Sequence, residues 1–183
     1  MPSTTPQTSP RRQSGLTLIE CLIGVTVTCM AAGAVVPSFG RMAEKRHLEG
    51  AAAQLKTDIQ FTRSMAVTLD EPLRLRVQQD AGGSCYVVYR GPANSCGCAS
   101  GSAPVCAEPD SLVRGVRLPA PAGVQMQSNV SSMLFSPLQG TVTPTGTLRL
   151  TGREGRSLHV VVNLMGRART CTPGGAVGGY PTC

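Results

Sequence analysis

From Leu16 to Phe39 the chain is built of apolar and small residues, and Glu20 is the only charge among them. A stretch of that length is predicted to form a helix able to cross a hydrocarbon core of roughly 30 Å. Past Arg41 the pattern changes. Leu48, Ala52, Leu55, Ile59, Thr62 and Ala66 recur at spacings of three, four and seven, with Lys45, Arg46, Lys56 and Arg63 between them. This spacing gathers the apolar set on one stripe of a helix that buries one side and wets the other. The predicted helix ends near Val67, ahead of Asp70-Glu71-Pro72, because proline disfavours helix in the residue before it.

Beyond Pro72 the periodicity shortens. Strands are predicted at 73–78, 85–90, 116–118, 124–127, 133–135, 147–151 and 157–164, and the alternation is clearest in Leu73-Arg74-Leu75-Arg76-Val77. Thr151-Gly152-Arg153-Glu154-Gly155-Arg156 reads as a hairpin connection, and residues 91–109, rich in Gly, Ser, Ala and Cys, as a surface insertion held by disulfides. The fold class expected is α+β: a long helix, half membrane-spanning and half amphipathic, packed on an antiparallel sheet domain. The organisation expected is a leader over 1–15, a transmembrane and assembly helix over 16–40, and an extracytoplasmic head over 41–183 that includes the second half of the helix.

Composition narrows the chemistry. With no Trp and 3% aromatic residues, the core must come from Val, Leu, Ile, Met and Ala. Eight cysteines, six of them beyond the apolar stretch, fit an oxidising compartment. Cys171 and Cys183 bracket a Gly- and Pro-rich tail with no core of its own, and are predicted to be bridged; the pairing of Cys85, Cys96, Cys98 and Cys106 is left open by the sequence. Cys21 and Cys29 read as small apolar residues. Cys96-Gly97-Cys98 lacks the spacing of structural zinc sites, so disulfides are the expectation there and no metal is predicted. His47 and His159 have no nucleophile or carboxylate beside them in sequence, and no phosphate-cradling loop or nucleophile elbow is present. The expectation is therefore a protein that is not an enzyme, with no catalytic residues and no cofactor.

The amino end carries a specific motif. Arg11 and Arg12 precede the apolar stretch and predict that this end stays cytoplasmic while the rest is exported. Gly15-Leu16-Thr17-Leu18-Ile19-Glu20 resembles the processing site of the type IV pilin and type II secretion pseudopilin superfamily. The resemblance implies that prepilin peptidase cuts after Gly15, that Leu16 becomes the N-methylated first residue, and that Glu20 neutralises the terminal amine of a neighbouring subunit during assembly. Such a partner explains a carboxylate in an apolar helix, where an unpaired charge is costly. Pro37 falls where many pilins carry a helix-kinking proline, whereas Leu16 departs from the commoner Phe.

Charge singles out the other end. Of 17 basic residues 15 are Arg, and from Ser111 onward seven arginines face Glu154 alone, a net of +6. Clustered Arg is an electrostatic footprint for polyanions, and guanidinium suits phosphate. In Gly166-Arg167-Ala168-Arg169 the two arginines alternate, so an extended backbone projects both from one side, with Gly166 leaving backbone room beside them. Arg153 and Arg156 are expected nearby through the preceding hairpin. This segment resembles the GspH/FimT branch of pseudopilins, and matches the Gly-Arg-x-Arg element associated with DNA binding in FimT-type minor pilins. The resemblance implies a minor pilin, anchored by a single pass in the inner membrane with its head in the periplasm and then carried in a pilus at the cell surface. Its implied partners are other pilins through the helix, prepilin peptidase, and DNA bound without sequence preference during natural transformation. A FimU-like structural tip pilin and a GspH-type pseudopilin of a type II secretion system are the alternatives. Tyr180 is the one tail aromatic able either to stack on a base or to pin the loop.

Overall fold

The computed structural model describes residues 17–98 and 103–183, apart from the side chains of 34–39 and 110. The leader, Gly15 and Leu16 lie outside the described residues. The helix α1 covers Leu18–Leu69, and the chain divides between Gly40 and Arg41 into two compact units.

In the first unit Leu18, Ile19, Leu22, Ile23, Val25, Val27 and Met30 all stand exposed among the described residues. Their few polar neighbours are satisfied locally: Thr26 Oγ1 donates to the Ile23 carbonyl at 2.9 Å, and Thr28 Oγ1 to the Gly24 and Val25 carbonyls at 2.9 and 2.8 Å. Glu20 lies in the first turn, where the helix dipole favours a negative charge. Among the described residues no helix is long and apolar enough to cross a membrane.

In the second unit the helix residues from Arg41 bury the predicted stripe: Leu48, Ala52, Leu55, Ile59, Thr62 and Ala66 are all fully enclosed. Asp70, at φ 53°, ends the helix in the left-handed region. Eleven strands follow among the described residues: β1 Leu73–Asp80, β2 Gly83–Arg90, β3 Cys96–Cys98, β4 Pro104–Cys106, β5 Leu112–Pro119, β6 Val124–Ser128, β7 Ser132–Phe135, β8 Val142–Thr143, β9 Gly146–Gly152, β10 Ser157–Val162 and β11 Ala168–Cys171. They form two larger sheets, ordered β5-β2-β1-β7-β8 and β11-β10-β9-β6, and the small pair β3-β4. Every strand pairing is antiparallel. The helix stripe meets Leu73, Leu75, Tyr86 and Val88 of the first sheet and Met126, Leu148, Leu150, Leu158, Val160 and Val162 of the second in one core. Ser84 Oγ of β2 accepts the Met126 N–H of β6 at 2.9 Å and joins the two sheets.

One buried charge ties helix to sheet. Asp58 is 1% exposed; Tyr86 Oη donates to its Oδ2 at 2.5 Å and Arg114 Nε lies 2.9 Å from its Oδ1. Burial, then the hydrogen bond to Asp58 and its charge, pushes the Tyr86 hydroxyl far above its ordinary pKa, which keeps it a donor. A carboxylate enclosed with both oxygens paired is tolerated, whereas one stripped of its partners is strongly destabilising.

The region read as a surface insertion has an inside. Its hairpin β3-β4 closes over the outer face of β2, where Val87, Tyr89 and Cys96 form a second small core with Cys98, Cys106 and Leu112 against it. Disulfides Cys85–Cys98 and Cys96–Cys106 hold it there, so the thiols of Cys96-Gly97-Cys98 are used in covalent bonds. Gln78 Oε1 accepts the Cys98 N–H at 2.6 Å and Arg76 Nη1 donates to the Cys96 carbonyl at 3.1 Å, which adds polar ties to β1. With both faces covered, β2 is buried from Gly83 to Tyr89.

Candidate nucleic-acid interface

The structure sorts the carboxyl-terminal arginines by what they touch. Arg114 is committed to Asp58, and Arg117 Nη2 lies 2.9 Å from Asp80 Oδ1. Arg156 Nη2 is 3.4 Å from Glu44 Oε2 and 3.1 Å from Glu154 Oε2, and donates to the Arg41 carbonyl at 3.1 Å. Arg153 donates to the Pro121 carbonyl, and its stem lies against Gly123. Arg149, Arg167 and Arg169 remain, each exposed, and among the described residues no carboxylate pairs with any of them.

Arg149 and Arg169 share one sheet, and Arg167 immediately precedes its edge strand β11. Arg167 and Arg169 flank the buried Ala168 at the start of β11, so both project outward as the alternation predicts. Arg169 sits opposite Val161 of β10, while His159, two residues back, sits opposite Arg149 of β9. Directly opposed residues lie on the same face, so Arg169, Val161, Thr147, His159, Arg149 and Gln127 line the outer side of this sheet. Arg149 Nε donates to His159 Nε2 at 3.1 Å. Burial of the ring, and then the charge of Arg149, lower the His159 pKa, so at neutral pH the imidazole is uncharged and free to accept that bond.

Two expectations about this site change. Arg153 and Arg156 are not brought to Arg167 and Arg169. Their turn precedes Ser157, whereas Arg169 pairs beside Val161, about 13 Å further along β10 at roughly 3.3 Å per residue. Gly166 does not open backbone room for a ligand either. It is buried at φ 69°, and a Cβ there would stand 2.7 Å from the Gly140 carbonyl oxygen and 2.8 Å from Arg63 Cδ. Its role is to make the β10–β11 turn: Gly166 N–H donates to the Asn163 carbonyl at 2.9 Å, and the Arg167 N–H to Asn163 Oδ1 at 2.9 Å. The glycine thus positions the arginines from behind.

The tail lies beside this edge. Cys171 is bonded to Cys183, Thr172 N–H donates to the Pro181 carbonyl at 2.9 Å and Cys183 N–H to the Thr172 carbonyl at 3.2 Å. Val177, 2% exposed, enters the main core and Tyr180 packs against it, so the loop carries its own anchors and Tyr180 pins it instead of standing free to stack. Burial, and then the charge of Glu49, raise the Tyr180 pKa. Lys45 Nζ reaches the Gly178 carbonyl at 3.1 Å.

Sequence reading missed Arg149 as a member of this face. Its outward position was visible in Thr147-Leu148-Arg149-Leu150-Thr151, but its neighbourhood with Arg169 depends on the strand order β11-β10-β9.

Known proteins place the fold. No curated protein matches the chain significantly. The crystal structure of the type IV minor pilin FimU from Pseudomonas aeruginosa has TM-score 0.50 and 22% identity, covering 70% of this chain and 90% of that one. The minor pseudopilin EpsH of the type 2 secretion system of Vibrio cholerae has TM-score 0.50 and 14% identity, covering 70% of this chain and 98% of that one. Both share the helix packed on antiparallel sheets. Residues 51–166 match the family described as type II transport protein GspH, a match that stops just short of Arg167. With that match over more than half its length, the chain belongs to the family of the type II transport protein GspH, and it shares the fold of those two solved structures.

Proposed function

We propose that this chain is a minor pilin of a type IV pilus that binds DNA through its basic carboxyl-terminal region and contributes to DNA uptake in natural transformation. One observation carries the reading: of the arginines beyond Ser111, the motif pair Arg167 and Arg169 stands exposed and, among the described residues, free of carboxylates, while Arg114, Arg117 and Arg156 are held in ion pairs. Guanidinium groups left unpaired at a sheet edge are available to phosphate. Binding through phosphate has no base readout, so unrelated sequences bind alike and affinity falls steeply with salt.

The amino end completes the reading. Prepilin peptidase cuts after Gly15, Leu16 is methylated, and residues 16–40 hold the protein in the inner membrane until Glu20 pairs with a neighbouring subunit's amine and the helix enters a filament with other pilins. The uncovered apolar side chains from Leu18 to Met30 support this, because an exposed surface of that kind calls for lipid or another helix.

The test is Arg167→Ala with Arg169→Ala in the full chain, with binding to labelled duplexes of unrelated sequence measured over a salt series. Affinity should drop by a similar factor for each duplex, and the slope of log K against log salt should fall by about two, one per lost contact. Wild-type protein with no affinity at low salt, or a double variant that keeps both affinity and slope, makes this a structural tip pilin or a secretion pseudopilin instead.

A further inference from the structure

The outer face of β11-β10-β9-β6 holds more than the motif arginines. Its outward residues are Gln125 and Gln127 on β6, Thr147, Arg149 and Thr151 on β9, Ser157, His159 and Val161 on β10, and, on β11, Arg169 and Cys171, the last buried and bonded to Cys183 of the tail. None is acidic. Beside Arg149 a shallow hollow is lined by Gln127, Ser128, Asn129 and Thr147. Asn129 Oδ1 accepts the Thr147 N–H at 2.7 Å, so the rim of the hollow is fixed by the fold. Arg149 and Arg169 stand on either side of β10, offset by two residues, which separates their Cα atoms by about 12 Å from strand spacing and rise.

We propose that the part of this face around the hollow is a second nucleic-acid contact, in which Arg149 meets a backbone phosphate and the neighbouring Gln127, Asn129 and Thr147 hydrogen-bond the adjoining sugar-phosphate. It extends the track begun by Arg167 and Arg169 across the sheet, and it rests on the DNA-binding reading above. Three features support it. Arg149 is exposed and free of carboxylates among the described residues. The face around it carries donors and acceptors without a negative charge to repel phosphate. His159 holds the Nε edge of the guanidinium through its ring nitrogen and leaves the two terminal amino groups free, the edge that forks onto a phosphate. A side chain fixed in place before binding loses less freedom when the ligand arrives.

Full-length protein in detergent micelles and a short labelled duplex of mixed sequence test this. Arg149→Gln should weaken binding and lower the salt slope by about one, whether or not Arg167 and Arg169 are intact. Arg149→Lys should restore the slope, since a phosphate contact needs a cation. Thr147→Glu, which brings a negative charge to the face and leaves Arg149 in place, should weaken binding as well. Lys56→Gln, on the helix, should behave as wild type, and melting curves should show all variants folded. If Arg149→Gln and Thr147→Glu both keep wild-type affinity and slope while the Arg167/Arg169 variant loses them, the second contact is wrong and the first stands. Wild-type protein without DNA affinity overturns both.

Discussion

Gly166 shows how a motif residue can act through its backbone. It sits in the left-handed region, buried against the Gly140 carbonyl and the Arg63 stem, while the arginines it serves point the other way. For an L-residue the left-handed conformation costs roughly 1–2 kcal/mol, and a Cβ at 2.7 Å from a carbonyl oxygen adds to that. Gly166→Ala should therefore lower the denaturation midpoint at unchanged m-value and disturb the Arg167 and Arg169 positions. An unchanged midpoint in a urea titration contradicts this role. Asp58 makes the complementary point: nothing in the local sequence marks it, yet it is the carboxylate around which Tyr86 and Arg114 fix helix to sheet.

At the scale of elements, the two disulfide-held pieces do different work. The β3-β4 hairpin covers the outer face of β2, which is why a strand in a small domain can be buried on both sides. The tail loop returns Val177 and Tyr180 to the main core beside β11. A bridge closing a loop of this size is worth about 3 kcal/mol in the chain-entropy account. Cys171→Ser with Cys183→Ser should thus lower the melting temperature as well as weaken DNA binding, because losing the bridge releases two core anchors and loosens the strand that presents Arg169. Melting and binding measured on the same preparation check this; a variant that melts as wild type sinks the structural half of the argument.

For the whole molecule, the two ends are read from different physics. The first unit presents exposed apolar side chains among the described residues and a single carboxylate in its first turn. Glu20→Val should leave membrane insertion intact, or ease it, because a charge is removed from an apolar helix. It should reduce incorporation into filaments, which blotting sheared pili against cell membranes would measure. Incorporation at the wild-type level removes the amine partnership. The second unit carries a core that spans the helix and both sheets.

The helix stripe, most of the strands and the outward alternation of Arg167 and Arg169 were legible in the sequence, because they depend on local periodicity of 3.6 or 2 residues. The superfamily was read from the residues around Gly15 and Glu20 and its GspH branch from Gly166-Arg167-Ala168-Arg169, whereas the family match itself covers residues 51–166. Strand boundaries were blurred where strands are short: the sequence reading missed β3, β4 and β8, the first two inside a Gly-rich stretch, and took β11 as an extended segment without counting it among the strands. What periodicity cannot supply is which strands lie side by side. That order places Arg149 two strands from Arg169, moves Arg153 and Arg156 to the far end of β10, and brings Asp58 to Arg114. A run of arginines is a charge in sequence; it becomes a site only when tertiary pairing has used up the carboxylates and shown which guanidinium groups are left.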